Sequence, residues 1–184
     1  MKAEKLMRRV MCGAVAGVLA GGLLLPLMAR AATSGTATIQ VTINNPKPTC
    51  NVSVRSSYDL GTLSRGQEKR HAEFPITLAC TGSVKSALTA SLGSGRAELQ
   101  PDQYKVSVSV DGQSAPSPNG PFFWLLDSSN NRPVKLTNAG ADAFCTATGQ
   151  NRTCKVTPVT HVMANSMWGS RGAVRVVFNV IYPA

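Results

Sequence analysis

The sequence predicts an all-β fold, a β-sandwich made from many short strands. Three observations carry the expectation. Apolar side chains recur at every second position near the C-terminus, at Val174, Val176, Phe178, Val180 and Tyr182, which is the period of a strand. Turn residues punctuate the chain at short intervals, as in sandwich domains. No stretch combines sustained helical spacing with caps.

The N-terminus reads as a secretory signal over residues 1–31. Lys2, Lys5, Arg8 and Arg9 form a basic start, and an uncharged, mostly apolar run follows from Val10 to Ala29. Ala29, Arg30 and Ala31 place small residues where signal peptidase needs them, so the cut is expected after Ala31. The competing reading is an uncleaved membrane anchor, since the run is nearly long enough to span a bilayer. Gly13, Gly17, Gly21, Gly22 and Pro26 argue against it.

Thr33 to Asn44, TSGTATIQVTIN, is the first expected strand. Gly35, Ala37, Ile39, Val41 and Ile43 share one face, and Thr36, Thr38, Gln40 and Thr42 the other. Asn45 to Pro48, NPKP, then holds the backbone extended and separates this strand from the body that begins at Cys50.

Within the body, CNVSV puts Cys50, Val52 and Val54 on one face. YDLGTLSRG follows, with turns at Gly61 and Gly66. AEFPITLAC puts Phe74, Ile76 and Leu78 on one face and ends at Cys80. Pro75 marks an edge or bulge. ALTASL, YKVSVSV, PFFWLLD and RPVKLT are read as further separate strands. Asp111-Gly112 and Asn130-Asn131 are turns, and Ser117 to Gly120 is a loop. FCTATGQNRTCKV is read as a hairpin with Gly149 at its tip.

The chain carries 19 basic and 9 acidic residues. Loss of Lys2, Lys5, Arg8, Arg9, Arg30 and Glu4 with the signal leaves a smaller positive excess, scattered from Lys47 to Arg175. That distribution suits a solvated cationic surface and not a nucleic-acid interface. Five cysteines are present, and Cys12 leaves with the signal. Cys50, Cys80, Cys145 and Cys154 remain, an even number in an exported chain, which implies disulfides. Of the three pairings open to them, Cys50–Cys80 with Cys145–Cys154 is favoured, because each closes a loop of reasonable size. No short cysteine cluster suggests a metal.

Nothing in the sequence points to catalysis. His71 lies in the charged run RGQEKRHAE and is expected to be solvated, while His161 lies in a strand-like segment. There is no nucleophile elbow, zinc-protease helix or phosphate loop. Asn51-Val52-Ser53 and Asn151-Arg152-Thr153 match the glycosylation pattern, which is short enough to arise by chance.

Read in order, the cleaved leader, the free alternating segment, CNVSV with YDLGTL, FPITLACTG, and a terminal strand bearing Phe178 and Tyr182 resemble a subunit of the bacterial chaperone–usher pilus, or fimbrial, family. The resemblance covers the whole chain. It implies an incomplete immunoglobulin-like β-sandwich that lacks its final strand and is completed by a donor strand from another chain. It divides the sequence into a signal peptide at 1–31, a donor-strand extension at 32–49 and a pilin domain at 50–184. The strand carrying Val174, Val176, Phe178, Val180 and Tyr182 would edge a hydrophobic groove and contact a periplasmic pilus chaperone. At an outer-membrane usher, Gly35, Ala37, Ile39, Val41 and Ile43 of a neighbouring pilus subunit would replace the chaperone.

The implied role is that of a structural subunit, exported through the periplasm to the cell surface. It would polymerise by donor-strand exchange and contribute to adhesion, with no cofactor, metal or nucleic acid. Three features depart from the family pattern: Pro183 and Ala184 follow Tyr182, Gly35 lies early in the donor segment, and the pair Cys145 and Cys154 is additional. The alternative function is a minor adhesin or invasin-like subunit that binds a host receptor directly, with Phe122, Phe123 and Trp124 as an aromatic patch. The plainer reading makes those three residues core, and an already closed sandwich would make both end strands ordinary.

Overall fold

The computed structural model describes residues 40, 42, 46–166 and 171–183. The predicted signal at 1–31 and the predicted donor residues Gly35, Ala37, Ile39, Val41 and Ile43 lie outside them. In the unit Met1–Ile43, only Gln40 and Thr42 are described, and both are exposed. Residues Asn44–Ala184 form one compact unit.

That unit is all-β. Its strands are β1 (Cys50–Val54), β2 (Gln67–Arg70), β3 (Phe74–Leu92), β4 (Ala97–Leu99), β5 (Val106–Val108), β6 (Phe122–Asp127), β7 (Arg132–Pro133), β8 (Phe144–Val162) and β9 (Val176–Ile181). All pairings are antiparallel. The hydrogen-bonded order is β1-β3-β8-β6-β5-β4, with β2 on β8, β7 on β6 and β9 on β3. Among the described residues there is one short 3-10 turn, Gly140–Asp142, and no α-helix.

Two strands of 19 residues, β3 and β8, organise the domain. They pair along most of their length, and the ladder shifts between Ala79 and Val84. The ribbon folds over itself at that shift. Cys145 and Cys154 are bonded, with Cα atoms 5.9 Å apart at a sequence separation of 9. A straight strand of that length would span about 30 Å. Arg152 ties the fold, its guanidinium donating to Ser86 Oγ at 2.7 Å, to Ser86 O at 2.6 Å and to Ala147 O at 3.3 Å. A second shift, between Ser86 and Leu88, lies opposite Cys145, which takes φ 52°, as a bulged residue can.

The fold-over places the two halves of β3 in facing layers. Ile76 and Leu78 from one half and Leu88 and Ala90 from the other meet in a single core with Val106, Leu125, Phe144 and Val156. This is the arrangement of an immunoglobulin-like sandwich, with inward residues from both layers filling one apolar interior.

Several expectations are corrected. FPITLAC and ALTASL are one strand, because the chain bends at the layer boundary without losing its pairing to β8. FCTATGQNRTCKV is not a hairpin. Its arms on either side of Gly149 pair with β3 and not with each other. The charged run QEKR forms β2 on the β8 edge, with all four side chains exposed, so no apolar pattern announced it. The region of YKVSVSV is a strand only at Val106–Val108, with a further bridge from Val110 to Gly172. RPVKLT is a strand only at Arg132–Pro133, after which Val134 and Leu136 turn into the core and Thr137 makes a single bridge to Ser91. His71 is half-buried, not solvated. Its Nε2 lies 2.8 Å from Thr160 Oγ1, and its pKa is lowered by burial first and by Lys69 second.

Candidate functional site

The terminal strand β9 has one hydrogen-bonded neighbour among the described residues, the half of β3 from Ala87 to Leu92. The direction of its remaining peptide groups follows from the ladder. Gly93 N donates to Arg175 O at 2.7 Å, so Arg175 and Gly93 are a hydrogen-bonded pair. Antiparallel pairs alternate between bonded and non-bonded, which makes Val176–Leu92, Phe178–Ala90 and Val180–Leu88 non-bonded pairs. The Ala90 carbonyl agrees, because it faces away from β9 and accepts from Asn138 N at 2.8 Å. The N–H and C=O groups of Val176, Phe178 and Val180 therefore point out along the free edge of β9.

The side chains of those residues turn inward. Val174, Val176, Phe178 and Val180 all pack on the core, yet none is fully buried. The edge thus offers backbone hydrogen bonds and incompletely covered apolar surface together. Alternation puts Val177 on the opposite face, 41 % exposed. There Asn179 Nδ2 donates to Asn138 Oδ1 at 3.0 Å, an oxygen that also accepts from Thr89 Oγ1 at 2.7 Å. This network fastens the outer face of β9 to β3.

On the facing layer β1 is the matching free-edged strand, and its described partner is β3 from Ile76 to Cys80. Thr81 N donates to Thr49 O at 2.9 Å. By the same alternation, the peptide groups of Cys50, Val52 and Val54 face outward. Cys50 is bonded to Cys80, which holds β1 to the bend of β3. The two edges converge there, where Cys50 N donates to the Tyr182 hydroxyl at 2.7 Å. From that point the edges of β1 and β9 run away from the bend, one in each layer, with the core between them.

Of the residues expected to edge a groove, Val176, Phe178 and Val180 lie in β9, and Val174 and Tyr182 flank it. Both favoured disulfides form. Sequence reasoning placed Cys50, Val52 and Val54 on one face but did not identify β1 as a second strand with β3 as its only described partner. The NPKP interruption before Cys50 was the available signal.

In β6, Phe123 and Leu125 face the main core, while Phe122, Trp124 and Leu126 form a second cluster with Tyr104 and Val159. Trp124 is buried, and the Lys105 ammonium lies 5.3 Å from its ring centroid. The aromatic run is therefore packed and is not an open patch. A concavity beside β7 contains Asp127 and Asp142. Asp127 accepts from Ser129 and Asn130, and Asp142 from Thr137. The Thr137 hydroxyl first, and Lys135 after it, hold the Asp142 carboxyl below its ordinary range. Among the described residues no group of histidine, cysteine or acidic side chains could hold a metal.

No family model matches the chain, and no curated protein matches it. Among solved structures, one of a chaperone–usher pilus is similar at 16 % sequence identity and a TM-score of 0.49, over 83 % of this chain and 100 % of that chain. At that identity the likeness names no family for this chain, and the free edges of β1 and β9 stand on their own geometry.

Proposed function

We propose that this protein is a structural subunit of a chaperone–usher fimbria that polymerises by donor-strand exchange. The observation that carries the reading is the free edge of β9, where Val176, Phe178 and Val180 direct peptide groups outward while their side chains lie half-covered on the core. An unpaired edge of this kind is a template for another chain, and an added strand gains backbone hydrogen bonds and side-chain pockets at once. Each aliphatic side chain it buried would contribute roughly 1.5–3 kcal/mol before ordering costs.

The proposed occupant is the segment Thr33 to Asn44 of a neighbouring subunit, inserting Gly35, Ala37, Ile39, Val41 and Ile43. A periplasmic chaperone would hold the edge until an outer-membrane usher brings that neighbour, and the assembled fimbrium would stand on the cell surface. The direct-adhesin alternative loses its main support, because Trp124 is packed in a cluster.

The test is native mass spectrometry of the mature protein made with a periplasmic pilus chaperone, with and without residues 32–49. Linear multimers from the full chain and a one-to-one chaperone complex from the shortened chain are expected. Stable chaperone-free monomers from both would mean that the sandwich is already closed.

A further inference from the structure

Tyr182 sits where the free edges of the two layers converge. Its hydroxyl accepts the Cys50 N–H at 2.7 Å, while the residue as a whole is 46 % exposed. Ile181, just before it, pairs with Ala87, and Cys50 pairs with Cys80. Both anchor points therefore lie at the bend of β3. Away from the bend, β1 runs toward Val54 opposite Ile76, and β9 runs back toward Val176 opposite Leu92. The slot between the edges opens in one direction, and at its inner end a single side chain spans it.

A strand entering such a slot has a register problem. Side chains alternate with period two, so a slip of one residue turns the wrong face inward. A slip of two residues restores the same face and is not opposed by the pattern. The proposed occupant alternates over Thr33 to Asn44 and carries no charged residue that would mark one position from the next. β9 is 6 residues long, shorter than that alternating run. Something other than hydrophobic pattern has to choose which part is paired.

We propose that Tyr182 is a register stop for the strand that completes the domain. Its ring closes the inner end of the slot and its hydroxyl occupies the first outward donor of β1. The inserted strand is then confined to the stretch opposite Val176, Phe178 and Val180. This rests on the strand-accepting reading above and deepens it, with residues 33–44 of a second copy as the occupant.

The test follows NMR-detected amide hydrogen exchange in the full mature chain, before and after head-to-tail assembly, for wild type, Tyr182→Phe and Tyr182→Ala. Tyr182→Phe keeps the ring and removes the acceptor. It is expected to speed exchange at the Cys50 amide about tenfold in the unassembled subunit, the loss of one hydrogen bond. Wild-type multimers are expected to protect one set of amides within residues 33–44, and Tyr182→Ala multimers two sets offset by two residues. An unchanged Cys50 rate in Tyr182→Phe, or one unshifted set in Tyr182→Ala multimers, overturns the register stop. Wild-type multimers with no protected amide in residues 33–44 overturn the donor-strand reading itself, and the stop with it. That outcome is distinct from either Tyr182 comparison.

Discussion

The rings of Phe144 and Phe178 meet edge to face, with centroids 6.4 Å apart and planes at 66°. Phe144 opens β8 and Phe178 lies at the middle of β9, so this pair joins the folded-over ribbon to the free edge. Phe144 is buried and Phe178 only partly so. Phe144→Ala should therefore cost about 3–5 kcal/mol and Phe178→Ala about half of that in the unassembled subunit. Urea unfolding checks both values. If an added strand covers Phe178, the cost of Phe178→Ala should rise in the multimer toward that of Phe144→Ala.

The two disulfides should differ in worth. Cys50–Cys80 spans a separation of 30 and Cys145–Cys154 one of 9. In the chain-entropy account the shorter loop contributes about 2–3 kcal/mol and the longer about 1 kcal/mol more. Unfolding of the paired serine variants, Cys145→Ser with Cys154→Ser against Cys50→Ser with Cys80→Ser, measures the difference. An equal or larger loss from the shorter loop would mean that native strain or residual unfolded structure outweighs chain entropy.

Arg152 should tolerate no conservative exchange. Its fork serves Ser86 and Ala147 together, and a lysine ammonium cannot reproduce a planar fork. Arg152→Lys should cost about 1–3 kcal/mol in urea unfolding. A neutral result would show that the disulfide alone holds the ribbon folded over.

His71 should make stability pH-dependent on the acid side. Its folded pKa lies below the ordinary 6.5, by burial first and by Lys69 second. The unfolded chain therefore binds the proton more readily, and the folded state is favoured with the ring neutral. This contribution is fully present above pH 6.5 and is lost as pH falls through the folded value. His71→Gln should flatten the change in unfolding midpoint below pH 6.5. An unaltered acid slope in that variant would assign it to the carboxylates.

Much of the domain was legible in the sequence because alternation is a local property. CNVSV, FPITLAC and the stretch around Val176 to Tyr182 each show period two over enough residues to declare a strand and its buried face, while PFFWLLD reads as a strand from its continuous apolar run, packed on both faces. The cysteine number, with loop length, was enough to favour the pairing that forms. His71 and QEKR were misread for the converse reason. An exposed edge strand needs no apolar face, and a half-buried histidine beside Thr160 leaves no mark on its neighbours in the chain.

What the sequence by itself determined is that most of the apolar segments contain strands and, where they alternate, which side is apolar. Only the tertiary structure decided that β3 and β8 cross the bend as unbroken strands, because continuity across a layer boundary depends on the partner ladder and on Arg152 and Cys145–Cys154 holding it folded. Only the tertiary structure set β1 and β9 on the same side of β3, one in each layer, with Tyr182 reaching Cys50 between them. Facing, encoded residue by residue, is visible in the chain. Pairing, encoded by residues far apart in the chain, is visible only once they meet.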